Sequence, residues 1–416
     1  MTLPDASSAS LAADGPDSAT AWRRLVVATL IGTIGGVGMW SVPVTLPAVQ
    51  AEFAIDRAAA SLPYTLCMLG FAAGGVLLGK LTDRIGVMVP VIGSAILMGL
   101  GYVLASQAHS LWIFALGQGV VAGLGTAVFF GPLMADISHW FDRRRGIAVA
   151  IAASGNYIAG AIWPVAIQHG IDRFGWRVTI LVVAAVCVAA IVPLALLLRR
   201  PPPRHDAPSA TGFVRRAPPD LGMSPGALQL ILGIAGVACC VAMAMPQVHI
   251  VAYCGDLGYG VARGAEMLSL MLGFGIISRV ASGFIADRIG GVRTLLLSSA
   301  LQGVALVLYF LFDGLTSLYV ISILFGLFQG GIVPSYAIIV REYFAPQEAG
   351  SRIGFVIMAT ILGMALGGWM SGVIFDMTGS YRIAFANGIA WNLLNLSIAT
   401  WLLMRSRGAR PRLAAA

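Results

Sequence analysis

The stretch GKLTDRIG (residues 79–86) returns later in the chain as SGFIADRIG (282–290), with Asp83 and Asp287 standing 204 positions apart. Two further pairs follow in the same order. HWF (139–141) is answered by EYF (342–344), and DRFGWR (172–177) by DMTGSYR (376–382), with Asp172 and Asp376 again 204 apart. Three matches at nearly one offset indicate an internal duplication, so the fold is to be sought as two copies of one unit.

The material around these motifs is too apolar for a water-soluble unit. Hydrophobic residues make up 58% of the 416 and charged residues only 11%, against about 25% charged in soluble domains. Apolar runs of membrane-crossing length lie near 25–48, 59–79, 88–107, 111–136, 146–168 and 176–198. A second set lies near 227–252, 262–285, 293–312, 316–340, 352–374 and 381–404. Each run reaches the roughly 20 residues a helix needs to cross the hydrocarbon core. The expected fold is an all-α membrane protein, with twelve transmembrane helices in two six-helix bundles related by a pseudo-two-fold axis. Such parallel repeats build alternating-access transporters. The expected domains are a disordered acidic tail (1–20), a first bundle (21–198), a Pro- and Arg-rich linker (199–225), a second bundle (226–404) and a basic tail (405–416). Arg23 and Arg24 follow the first tail and lead into a run long enough to span, so the reading is an uncleaved first helix and not a signal peptide.

The net charge of +8 would suit nucleic acid, but its placement gives another reason. With a cytoplasmic N-terminus, 20 of the 26 Lys and Arg fall in inside segments, among them Lys80, Arg84, Arg143–Arg145, Arg199, Arg200 and Arg288. Outside segments carry Arg57, Arg173, Arg177, Arg263 and Arg382. That asymmetry places both termini in the cytoplasm, and the expected location is a bacterial cytoplasmic membrane. The five cysteines (Cys67, Cys187, Cys239, Cys240, Cys254) lack metal or redox spacing and read as small buried hydrophobes. There is no G-x-S-x-G, no phosphate-cradling loop and no clustered His/Cys ligand set, so neither an enzyme nor a cofactor is expected.

One basic residue, Arg279 in GIISRVASGF (275–284), belongs to neither side. It lies eight residues before Asp287 and thirteen after Glu266, about 12 and 20 Å along a helix. A charge near mid-membrane costs at least about 3 kcal/mol, and no acidic residue stands three or four positions away on the same helix. The chemical use that fits is a guanidinium whose paired N–H donors receive a substrate carboxylate.

GKLTDRIG resembles the loop between helices 2 and 3 of the major facilitator superfamily, of form G-x-L-x-D-R-x-G, and the resemblance covers residues 20–405. It implies a gating motif of Gly79, Asp83, Arg84 and Gly86, repeated at Asp287 and Arg288, with Asp136 as the expected partner of Arg84. HWFDRRRGIAVAIAASGNYIAG (139–160) is similar to the start of helix 5 in monocarboxylate and oxalate/formate-type porters. Those porters carry an arginine in helix 8, just ahead of the second D-R/K-x-G loop, where Arg279 stands. The chain departs from them at three places. Gly275 replaces an aspartate linked to proton coupling. IGFVIMATILG (353–363) has no cation, with Thr360 the nearest polar residue. IGGVGMW (34–40) lacks the acid of the helix 1 motif.

One cation implies one carboxylate. The expectation is a secondary transporter of a small organic monocarboxylate with H⁺ as co-substrate, acting as a monomer in the lipid bilayer. Anion exchange, drug or metabolite efflux and a non-transporting acid sensor stand as alternatives. Further substrate candidates are Tyr64, Phe130, Asn156, Tyr157, Gln247 and Tyr336, with Ser335 beside the last. Proton-coupling candidates are His249 and Asp136. Small residues at 152–155 and 160, and glycines four apart at 326/330, 363/367 and 368/372, predict close helix contacts.

Overall fold

The computed structural model describes residues 16–201 and 222–408. Residues 1–15 of the expected first tail, 202–221 of the linker and 409–416 of the last tail lie outside the described residues.

Long helices account for almost all of the described chain, and no strand occurs among the described residues. In order they are α1 (Ala19–Gly35, continuing as Val37–Phe53), α2 (Arg57–Ile85), α3 (Met88–Ser106), α4 (Leu111–Ser138), α5 (145–174) and α6 (176–196). Then come α7 (Pro225–Asp256), α8 (Val261–Ile289), α9 (Gly291–Leu311), α10 (Leu315–Tyr343), α11 (Pro346–Thr378) and α12 (Tyr381–Gly408). α5 and α6 run into one another, but Gly175 at φ 76°, ψ 161° breaks the helix between them. That conformation is open to glycine at no steric cost. Among the described residues this gives twelve helices of membrane-crossing length, as the apolar runs predict. Large apolar side chains such as Leu100, Trp112 and Phe284 remain exposed on them, as suits a surface solvated by lipid.

The duplication is visible in the backbone. Gly86 ends α2 at φ 80° and Gly290 ends α8 at φ 83°, and their N–H groups donate to Thr82 and Ala286 carbonyls, each at 2.9 Å. These four residues keep the offset of 204. Gly175 and Gly379, both at positive φ, keep it too.

By contacts the chain forms two compact units, Met1–Val42 with Leu69–Ala210 and Pro43–Met68 with Thr211–Ala416. Residues 43–68 thus group by contacts with the second unit. In the first unit, α1 packs on α5, where a Cβ on Gly155 would stand 3.0 Å from the Thr29 carbonyl. In the second unit, Gly363 and Gly367 bring α11 onto α7, while Gly368 and Gly372 bring it onto α2. A Cβ on Gly367 would lie 2.6 Å from the Val241 carbonyl, and one on Gly372 2.8 Å from the Arg57 carbonyl. Adjacent glycines thus serve two helix faces. Gly330 does the same for α10 on α8.

Two irregularities bend α4. Residues Ala115–Val121 form a π-turn, and Phe130 (φ −117°, ψ −84°) breaks the helix just before Gly131–Pro132. Pro132 removes an N–H from the ladder and so fits the first turn of the restarted helix.

Candidate functional site

Arg279 lies on α8 where α10 crosses it. A Cβ on Gly330 would stand 2.8 Å from the Arg279 backbone nitrogen and 2.7 Å from the Gly275 carbonyl, so only a glycine admits this approach. Arg279 is half-buried, with its Nε enclosed. Serines line the crossing: Ser278 Oγ accepts the Gly330 N–H at 3.1 Å, and Ser282 Oγ donates to the Arg279 carbonyl at 2.9 Å. The residue before Gly330, Gln329, is buried. Its Oε1 accepts from Gln247 Nε2 of α7 at 2.7 Å, and its own Nε2 is buried with no hydrogen-bond partner among the described residues. Arg279, two serines and an unfilled amide donor thus belong to one stretch of α8 and α10.

The other substrate candidates distribute unevenly. Tyr64 is fully buried against Gly368, and its hydroxyl has no partner among the described residues. Tyr336 is interior, donating to Asn395 Oδ1 at 2.8 Å, and Asn395 in turn donates to Ser299 Oγ at 2.7 Å. It thereby ties α10 to α12 and α9. Ser335 Oγ donates to the Gly331 carbonyl on its own helix. In the first unit, Asn156 accepts the Trp40 indole N–H through its backbone oxygen at 3.1 Å and Oδ1 at 3.2 Å. Tyr157 is buried nearby, and Phe130 packs on Phe71 with ring centroids 6.3 Å apart.

The motif residues are at the surface: Asp83, Arg84, Gly86, Asp287 and Arg288 are all exposed, and Gly79 is half-buried. The expected pairing of Arg84 with Asp136 is corrected. Asp136 is bound by Arg24 of α1, Nε to Oδ2 at 2.7 Å and Nη2 to Oδ1 at 2.9 Å. Both side chains are buried, and the guanidinium lies over the Trp140 ring, 4.7 Å from its centroid. Arg24 reads in the sequence only as a topology charge. A separation of 112 residues gives no local signal for this pair.

At one end of the second unit lies a polar cluster that sequence reasoning missed except for His249. Arg57, at the start of α2, is buried. It donates from Nη2 to Asp256 Oδ1 at 3.0 Å and from Nη1 to Tyr381 Oη at 2.8 Å, and lies over Phe375. Asp376 of α11 accepts the Arg57 and Ala58 N–H groups at 2.8 and 2.7 Å, capping α2 from another helix. His249 of α7 has Nδ1 3.0 Å from Tyr381 Oη and Nε2 2.8 Å from the Gly368 carbonyl. The one available signal was the recurring DMTGSYR segment, which carries both Asp376 and Tyr381.

Helices of this number and order, duplicated around D-R-x-G turns, define a membrane transporter class. The chain matches the Major Facilitator Superfamily over residues 28–317 and again over 267–416, and it belongs to that family. The family is one of transporters, not enzymes. Monocarboxylate transporter 13 of Bos taurus is 30% identical over 336 residues, covering 78% of this chain and 75% of its own length. Monocarboxylate transporter 11 of Homo sapiens is 28% identical over 395 residues, 89% of this chain and 80% of its own. In fold, the chain is similar to a bacterial homologue of the human lysosomal transporter Spinster, solved inward-facing and unoccupied. The TM-score is 0.73 at 16% identity, over 96% of this chain and 99% of that one. Both sequence relatives are mammalian, so they lend the expected bacterial setting no support.

Proposed function

We propose that this chain carries a small organic monocarboxylate across a membrane by alternating access, with Arg279 as the anchor of the carboxylate. The observation that carries this reading is the half-buried Arg279 about two-thirds of the way along α8, at a crossing with α10 lined by Ser278, Ser282 and Gln329. Intramembrane charges are costly and mark transport pathways, and a guanidinium offers a carboxylate two parallel N–H donors. The monocarboxylate transporters among the relatives support the same substrate class.

The distribution of Lys and Arg supports cytoplasmic termini. With that orientation and a negative interior, a monoanion entering alone works against about 2.3 kcal/mol per 100 mV. A co-transported proton removes that opposition. With Asp136 held by Arg24, His249 is the stronger of the two proton candidates.

Purified protein reconstituted into vesicles, with a panel of labelled monocarboxylates and an imposed pH gradient, tests the proposal. Uptake of at least one acid is expected in the native protein and its loss in Arg279→Ala, with only partial recovery in Arg279→Lys because one ammonium cannot reproduce the paired donors. Undiminished uptake in Arg279→Ala would refute the anchor role.

A further inference from the structure

The hydrogen bonds around His249 run in one direction only. A carbonyl oxygen accepts and never donates, so the 2.8 Å contact with Gly368 requires a hydrogen on His249 Nε2. In the neutral ring Nδ1 is then the acceptor, and the Tyr381 O–H donates to it across 3.0 Å. The Tyr381 oxygen in turn receives the Arg57 Nη1–H at 2.8 Å. The chain runs from Arg57 through Tyr381 and His249 to the Gly368 carbonyl, joining α2, α12, α7 and α11.

Nδ1 is the one basic site left on this ring. A proton there, with Arg57 in place, sets two cations on a single phenolic oxygen and turns the Tyr381 O–H away from its acceptor. Yet the surroundings have charge to spare for a proton. The titratable groups toward this end of the helices packed with α7 include Arg57 and Tyr64 on α2, with Asp56 just before it, and Asp376 on α11. Tyr381 and Arg382 lie on α12, Arg263 and Glu266 on α8, and Tyr253, Cys254 and Asp256 on α7. Arg382 is held by Asp313 and Arg263 by Glu266. Arg57 remains against two carboxylates, Asp256 and Asp376. Arg57 and Asp256 also line a hollow of about 360 Å³, together with Gln50, Ala51 and Ala252, which gives water a route to the ion pair.

We infer that His249 and Tyr381 form a proton-binding site for which Arg57 and a proton compete, so that protonation of His249 releases the start of α2 from α7, α11 and α12. With Arg57 docked, α2 is clamped and this end of the unit is closed. With a proton on Nδ1, Arg57 withdraws, the imidazolium donates to Tyr381, and the two carboxylates balance it. Lower pH on this face therefore favours the open form. The inference rests on membership of the transporter family and not on the role of Arg279.

Spin labels at Ala59→Cys, in the first turn of α2, and Met377→Cys, in a background without the five native cysteines, report the spacing of the start of α2 from the end of α11 by pulsed electron resonance in lipid vesicles. Lowering pH from about 7.5 to 5.5, across the ordinary histidine range, is expected to raise the longer-distance population several-fold. His249→Gln, which keeps a donor and an acceptor but takes no proton, is expected to give the same distances at both pH values. Tyr381→Phe, which keeps the ring and cuts the link to Arg57, is expected to lose the response as well and serves if the glutamine variant does not fold. A wild-type protein that ignores pH, or either variant that retains the full response, overturns the inference. None of these distances depends on Arg279, so the uptake assay above fails or succeeds separately.

Discussion

Arg24 and Asp136 meet in a two-point pair between α1 and α4, with N–O distances of 2.7 and 2.9 Å and both side chains buried. Burying two charges is expensive, and the pair offsets that cost only while both partners are present. Asp136→Leu or Arg24→Met alone is expected to cost about 3–5 kcal/mol. The double variant Arg24→Met/Asp136→Leu is expected to lose much less than the two single losses combined. Thermal unfolding of the detergent-solubilised proteins measures all three, and additive losses would mean that the pair does not act as a unit.

What the sequence made legible follows from periodicity and spacing. Twelve spans, the duplication and the glycine faces of α10 and α11 are local signals, because a run of about 20 apolar residues or a four-residue glycine step needs no knowledge of the partner. Partner choice is a different matter. Arg24 and Arg57 read as loop charges, yet each is buried against carboxylates more than 100 positions away. The π-turn at Ala115–Val121 also escapes; it falls where α3 and α4 cross closely at Gly101 and Gly117, a contact no local pattern reveals. Arg279 was legible because no other basic residue falls inside an apolar run so far from either end.

Asp17 clips the chain ahead of α1 to the turn before α5. Its carboxylate accepts the N–H groups of Asp142, Arg143 and Arg144 at 3.0–3.3 Å. Burial pushes this carboxyl up, but the three backbone donors and the charge of Arg143 outweigh it and hold it below its ordinary 3.8. A carboxyl depressed on folding stabilises the clip above its unfolded value and ceases to do so as pH falls through its folded value. Limited proteolysis ahead of α1 is expected to stay slow from neutral pH down to about 4 and to quicken below it. In Asp17→Ala the site is expected to be cut readily at every pH. A native protein equally protected at pH 2 and 7 would show that the carboxylate is not what holds the clip.

The glycine crossings make a stability prediction with an internal control. A Cβ on Gly367 would lie 2.6 Å from the Val241 carbonyl and one on Gly330 2.7 Å from the Gly275 carbonyl, both rigid backbone. A Cβ on Gly354 meets nothing within 4 Å. Gly367→Ala and Gly330→Ala are each expected to lose about 1–3 kcal/mol, the scale of overpacking, while Gly354→Ala is expected to be neutral or slightly stabilising. Equal unfolding temperatures for the three would deny that these helices touch through their glycines.

The paired amides of Gln247 and Gln329 allow packing and transport to be separated. The single bond from Gln247 Nε2 to Gln329 Oε1 satisfies one group on each side and leaves a buried Nε2 on Gln329 one residue from the Arg279 crossing. Removing one partner strands a buried amide, at about 1–3 kcal/mol, whereas replacing both by apolar side chains of similar shape is close to neutral. Gln247→Leu alone is therefore expected to lower the unfolding temperature, and Gln247→Leu/Gln329→Leu to restore it. If the spare N–H serves only packing, the double variant transports normally. If it completes the carboxylate's hydrogen bonds beside Arg279, the double variant is as stable as the native protein but takes up the acid at least about tenfold less efficiently, the loss expected for one charge-assisted hydrogen bond of 1.5–3 kcal/mol. Vesicle uptake measured beside thermal unfolding on the same preparation decides between these outcomes, and a stable double variant with undiminished uptake would remove Gln329 from the binding site.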